Sequence, residues 1–310
     1  ITIAEGIETD LQHHAVRDLG CELGQGYLFA RPLPPSDVDA WLNALTGDVV
    51  YFVPNQQAIV GKDAVAAWAL WLFRAEVRGL ENVPATGPVL LVGNHSGGTL
   101  IADTFVFAQA FYDHFGADRG FYQLAHDLVF KVPGARALVE PYGTVPASPE
   151  NMRRALAQDA ALLVYPGGDH ETYRATWHSA DIDFAHRTGF VRLALQLDVP
   201  IVPVVAIGGQ ETALFLGQGQ RVARLLHLHR LLRLDVAPVQ IAPPWGVTVF
   251  DVPGRVPLPA KISVDVLPPI DLHAELGPDP DPEVGYDLVT ERMQHALDEL
   301  ADARRFPVIG

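Results

Sequence analysis

Three long apolar runs, each ending in polar residues and paired glycines, constrain this chain most. They are PVLLVGNHSGG (88–98), ALLVYPGGDHE (161–171) and VPIVPVVAIGGQET (199–212). A strand with one wet face alternates apolar and polar residues, whereas an unbroken apolar run belongs to a strand covered on both faces, as in a parallel sheet. Helical patterns separate the runs: 100–115, 148–159 with Ser148 at its start, 184–198 and 286–305. Residues 65–79, ended by Gly79, 127–140 and 221–234 also read as helices, and 121–126 and 261–270 as strands. The alternation predicts an α/β fold, a largely parallel sheet flanked by helices.

With 49% hydrophobic and 19% charged residues among 310, a large core is affordable. A net charge of −15 argues against nucleic acid as a partner, because neutralising phosphates needs a basic surface. Cys21 is the single cysteine, so the chain has no disulfide framework and no cysteine zinc site, which suits a reducing compartment. His13-His14 and His227/His229 are pairs without a third ligand, and no metal site is expected. No signal-peptide pattern is present, and the apolar run at 64–73 is shorter than the roughly 20 residues of a membrane span. Two stretches suit contact with a membrane surface. One joins Trp68, Trp71, Leu72 and Phe73 to Arg74 and Arg78, and reads equally as a core helix packed on the sheet; the other, 221–234, sets Arg221, Arg224, Arg230 and Arg233 among leucines. The expectation is a cytoplasmic protein lying on the inner face of the cell membrane.

Residues 1–47 read as β-α-β-α, apart in character from 48–310. AEGIET (4–9), LGCELGQGYLFARPLP (19–34) and DVDAWL (37–42) resemble the C-terminal end of an EAL domain, the cyclic di-GMP phosphodiesterase barrel. The resemblance places Glu5 and Gln25 in that family's active site. It covers only the last two β/α units and lacks the metal-binding carboxylates, and a barrel site draws on several strand ends. The implied role is a catalytically inactive barrel remnant.

The chemistry belongs to the strand ends of 48–310. His95 directly follows the strand 87–94, on the edge where open α/β sheets bind ligands. A histidine there can take the proton of an attacking hydroxyl near neutral pH. Gly97 and Gly98 allow close approach and expose amides to an oxyanion, and Asp103 can orient the imidazole. Asp103 stands eight residues after His95, about 12 Å along a continuous helix. The pair can therefore meet only if Ser96-Gly97-Gly98 loops before the helix begins. Gly167, Gly168, Glu171 and Arg174 form a second edge loop, in which Arg174 suits a phosphate or carboxylate.

GNHSGG (93–98), YGTVPAS (142–148), VYPGGDHE (164–171) and VPIVPV (199–204) resemble, in order and spacing, the four blocks of the glycerolipid acyltransferase family. The resemblance implies that His95 is the general base and that Asp103 is its partner. It also implies that Ser96, Gly97, Gly98, Gly167, Gly168, Glu171, Arg174 and Arg187 line the substrate site. The reaction implied is acyl transfer from acyl-CoA or acyl carrier protein, without a bound cofactor, to a hydroxyl of a lysophospholipid or glycerolipid at a membrane surface. The second-block arginine is replaced by Ala147-Ser148, and the third block reads Pro-Gly-Gly-Asp, more like diacylglycerol acyltransferase type 2 relatives. Arg174, Arg187 or Arg192 is left to meet an acceptor phosphate. Ser96 lacks the Gly-x-Ser-x-Gly elbow of a nucleophile. A competing function is a cyclic di-GMP signalling module with an acyltransferase-like partner domain.

Overall fold

A computed structural model describes residues 73–304 except 117, 128, 132–138, 226, 228–235 and 252–254, together with short strands at 3–4, 23–24, 51–53 and 56–59. The chain divides into two compact units, Ile1–Val49 and Val50–Gly310. In the first, β1 (Ile3–Ala4) and β2 (Leu23–Gly24) pair in parallel, with Ile3 opposite Leu23. Glu5, Gln25, the His13-His14 pair and the helices expected in 1–47 lie outside the described residues.

The second unit starts with an antiparallel hairpin, β3 (Tyr51–Val53) and β4 (Gln56–Ile59). Its main sheet then takes β5 (Glu76–Arg78), β6 (Val89–Gly93), β7 (Phe121–Ala125), β8 (Thr144–Pro146), β9 (Ala161–Val164) and β10 (Ile201–Ile207). A small antiparallel sheet follows, made of β11 (Leu214–Gly217), β12 (Val239–Ala242) and β13 (Gly246–Val249), before β14 (Ser263–Val266) returns to the main sheet. The seven strands run in the order β5-β14-β10-β6-β9-β7-β8. All neighbours are parallel except β10 and β14.

The unbroken apolar runs have the predicted cause. Val89 and Leu91 pack on one side of the sheet with Val106, Phe107 and Phe111 of α1 (Ala102–Phe115). Leu90 and Val92 pack on the other side. There they meet α2 (Pro149–Leu156), then, past the short α3 (Gly168–Thr172), α4 (Gly189–Leu197), and later α7 (Pro282–Asp302), which follows α5 (Gln220–Leu225) and α6 (Leu272–Leu276). Each strand residue is thus covered whichever way it points. Ser148 caps α2, its hydroxyl accepting from Asn151 N at 3.1 Å.

One expected helix differs in its described part, and two others are described only in part. Residues 76–78 form the edge strand β5, where Arg78 pairs with Asp265 of β14 at 2.9 Å; 65–72 lie outside the described residues. Of 127–140, Val129–Lys131 is a 3-10 turn, Val139 is helical, Glu140 opens the 3-10 turn Glu140–Tyr142, and 132–138 lie outside the described residues. Of 221–234, residues 221–225 are helical as expected, in α5, and of the rest only 227 is described.

Candidate active site

β10, β6 and β9 are adjacent and parallel, so the loops after them share one edge of the sheet. Those are the three glycine-bearing loops. Asn94 extends the pairing beyond β6 with its side chain. Its Nδ2 donates to Ala206 O at 2.8 Å, and Ala206 N donates to its Oδ1 at 2.7 Å. A carboxamide here imitates one more peptide group, and His95 leaves the sheet from a fixed point.

The chain then loops as the Asp103 spacing requires. Gly97 and Gly98 adopt left-handed backbone, a 3-10 turn spans Gly98–Leu100, and α1 starts only at Ala102. This carries Asp103 back under the loop: its Oδ2 accepts from Ser96 N (2.9 Å) and Ser96 Oγ (3.1 Å) and lies 3.6 Å from His95 Nδ1. Nδ1 is buried and makes no hydrogen bond, and the ring retains 14% exposure. A closure of well under 1 Å would make the bond, and such contacts often tighten only with substrate bound.

Tyr165, which no motif in the sequence singles out, stacks on the imidazole at 4.3 Å between centroids. Thr104 Oγ1 donates to its hydroxyl at 2.9 Å, and burial pushes the phenol well above its usual range. Tyr165 fits because residue 93 is glycine: a Cβ there would lie 2.5 Å from Tyr165 Cε1. Gly93→Ala is therefore expected to displace the tyrosine and cost about 1–3 kcal/mol of stability, read by thermal unfolding.

The remaining loop amides are clamped from three directions. His95 N donates to Glu171 Oε2 (2.9 Å), Gly97 N to Gln210 Oε1 (3.1 Å) and Thr99 N to Asp251 Oδ2 (2.6 Å). Asp251 and Arg255 were not anticipated. Asp251 also accepts from Thr99 Oγ1 (2.8 Å), Gln240 Nε2 (2.8 Å) and Arg255 Nε (3.0 Å), while Arg255 donates to Gly97 O (2.5 Å) and Thr212 O (3.0 Å). Gly98 sits against this pair: a Cβ would come within 2.2 Å of Asp251 Oδ2. No local motif betrays residues 251 and 255, because their partners in the His95 loop are more than 150 positions away.

Among the expected substrate-site residues, Ser96 is buried with its hydroxyl on Asp103. Arg174 is buried too. Its Nη1 donates to His95 O (3.0 Å) and Glu171 O (3.2 Å), its Nη2 to Ser179 O (3.1 Å), and it faces the Glu171 carboxylate at 3.3 Å. This arginine supports the His95 loop. Arg187 Nη1 donates to Pro166 O (3.0 Å) and Gly167 O (2.9 Å), holding the Gly167-Gly168 turn, and Arg192 is exposed on α4. The second-block position, Ala147-Ser148, follows β8 at the far edge of the sheet.

Glu171 is fully enclosed. Burial pushes its carboxyl from 4.5 up to about 7, against the Arg174 guanidinium and the His95 N–H, which favour the anion. Between those values the folded chain holds a proton that the unfolded chain has released. This group's contribution to stability therefore falls as pH rises from about 4.5 to about 7 and is level outside that window. Glu171→Gln, which keeps an acceptor for His95 N, should remove the slope. Denaturant unfolding at about pH 5 and about pH 8 should show the wild type losing stability relative to the glutamine variant.

No group of three or more metal-binding side chains occurs among the described residues. A histidine backed by an aspartate, at the carboxyl edge of a parallel sheet and ringed by glycine turns, places the protein among α/β proteins with a histidine-centred site. A family model described as Acyltransferase matches residues 74–207, from just before β5 to the end of β10, with His95, Asp103 and Glu171 inside it. A Mycobacterium tuberculosis protein described as uncharacterised is 32% identical over 269 residues, covering 84% of this chain and 72% of that one. The human protein named DGAT1/2-independent enzyme synthesizing storage lipids is 30% identical over 158 residues, 49% of this chain and 45% of its own. The fold is similar to the crystal structure of the 1-acyl-sn-glycerophosphate (LPA) acyltransferase PlsC from Thermotoga maritima, with TM-score 0.50, 18% identity and 79% of each chain covered. The chain belongs to the acyltransferase family.

Proposed function

We propose that the protein is a membrane-peripheral O-acyltransferase that moves an acyl chain from acyl-CoA or acyl carrier protein to a hydroxyl of a glycerolipid, with His95 as general base. The observation that carries this reading is the His95–Asp103 pair, 3.6 Å apart at the strand edge. With Nδ1 turned to Asp103, Nε2 is the nitrogen left to take the proton from an acceptor hydroxyl. The alkoxide oxygen attacks the thioester carbonyl, the C–S bond breaks, and the departing thiolate takes the proton from the imidazolium. Asp103 stabilises that imidazolium. The amides of His95, Ser96, Gly97 and Thr99 are bound to side-chain acceptors, which leaves Gly98 N–H as the donor from this loop for the oxyanion.

The commitment of Arg174 to protein carbonyls, with Ala147-Ser148 in the second block, favours an acceptor without a phosphate. The name of the human relative, which refers to storage lipids, supports the same choice. The test is transfer from labelled acyl-CoA to monoacylglycerol, diacylglycerol, lysophosphatidate and lysophosphatidylcholine in parallel. Neutral acylglycerols should be acylated fastest; a preference for lysophosphatidate would overturn the acceptor assignment. For residues 1–47 the EAL-like words support descent from a barrel domain without retained phosphodiesterase activity, and titration with cyclic di-GMP and Mg²⁺ should give no heat.

A further inference from the structure

The small sheet β11–β12–β13 has two faces of opposite character. Register pairs Leu214 with Ile241 and Ile241 with Val247, and beside that row Val239 with Val249. Opposed residues point the same way, so these side chains share a face. Leu214, Leu216, Val247 and Val249 are exposed, Val247 by 68%. Trp245, 54% exposed, stands at the turn between β12 and β13. The opposite face turns Phe215 and Gln240 inward, Gln240 onto Asp251. A contiguous exposed aliphatic face with a tryptophan at its tip is unusual on a soluble surface.

Charge indicates what covers it. Residues 212–220 and 236–250 contain no charged side chain, in a chain of net charge −15. The connection between β11 and β12 reverses that sign locally, with four arginines, Arg221, Arg224, Arg230 and Arg233, against Asp235. It begins with α5, seated at the end of this sheet where Ala237 N donates to Gln218 O at 2.8 Å and Ala223 packs on Ala237. Arg224 and Leu225 are exposed there. An uncharged apolar face whose strands β11 and β12 are joined by an arginine-rich connection suits an anionic bilayer surface: the aliphatic side chains enter the headgroup boundary and the exposed Arg224 meets lipid phosphate.

We infer that the outer face of β11–β12–β13 is the surface by which this protein docks on anionic membrane. The inference rests on the lipid-acylating reading above and names the surface that brings the site to its acceptor. One side of the sheet faces lipid while the other, through Asp251, holds the His95 loop.

The test is co-sedimentation of the full chain with phosphatidylcholine vesicles, with and without phosphatidylglycerol. Val247→Glu combined with Val249→Glu should lower partition onto phosphatidylglycerol vesicles about 10-fold or more. Val284→Glu, at an exposed valine on α7, should leave it unchanged. Both sites are exposed, and thermal unfolding should match the wild type. Undiminished vesicle binding by the double variant would overturn the inference. So would conversion of a dimer to a monomer by that variant with vesicle binding retained, which would assign the face to a second copy. Transfer to a dispersed short-chain acceptor reads the chemistry separately and should be unchanged in the double variant. Failure of transfer by the wild type would remove the acyl-transfer reading, while the vesicle comparison still decides the docking face.

Discussion

Alanine at position 95 is expected to lower kcat/KM for acyl transfer by about 10²–10⁴-fold, the usual worth of a general base. The two buried carboxylates beside it are already engaged. Asp103 is bound to Ser96 and Thr104, and Glu171 to His95 N. The fold should survive, because the imidazole makes no hydrogen bond through Nδ1 and its main contact is the stack on Tyr165. Steady-state assay beside thermal unfolding separates the two effects. Asp103→Asn should fall between wild type and His95→Ala: it keeps the shape under Ser96 but loses the charge that stabilises the imidazolium. Near wild-type activity in folded His95→Ala would exclude histidine catalysis.

Asp251→Ala is expected to produce the largest loss of stability, about 3–5 kcal/mol, the cost of leaving one member of a buried ion pair alone. The Arg255 and Asp251 side chains are 3% and 0% exposed, so water does not replace the lost partner. The same substitution removes both bonds to Thr99. Activity should therefore fall together with the unfolding free energy measured in denaturant. Adding Arg255→Met should restore much of the stability, since an apolar side chain does not need the carboxylate, but not the activity, since Thr99 remains unheld. A single variant as stable as wild type would mean that the pair contributes nothing to holding the loop.

The central sheet was legible in the sequence because burial on both faces leaves unbroken apolar runs, and 89–93, 161–164 and 201–207 fall inside them. The His95–Asp103 spacing was legible as well: eight residues forbid a continuous helix, and the glycines supply the loop. The second tier of the site was not. Tyr165 is an ordinary aromatic after an apolar run, and its role depends on the space left by Gly93. Arg174 reads in the sequence as an anion-binding residue, and its bonds to three carbonyls depend on the folded loops. β5 was hidden because its three residues lie at a sheet edge, where Glu76 and Arg78 are exposed and little apolar pattern survives.

Direct transfer by His95 is tested most closely in a single turnover. The purified chain is mixed with labelled acyl-CoA, first without and then with monoacylglycerol, and both the intact protein mass and the lipid products are followed. Direct attack by the acceptor hydroxyl predicts an unchanged protein mass throughout, and acylated lipid and free CoA appearing in equal amounts only when acceptor is present. A protein heavier by one acyl group before acceptor is added, with the label on Ser96 or any other side chain, would contradict it.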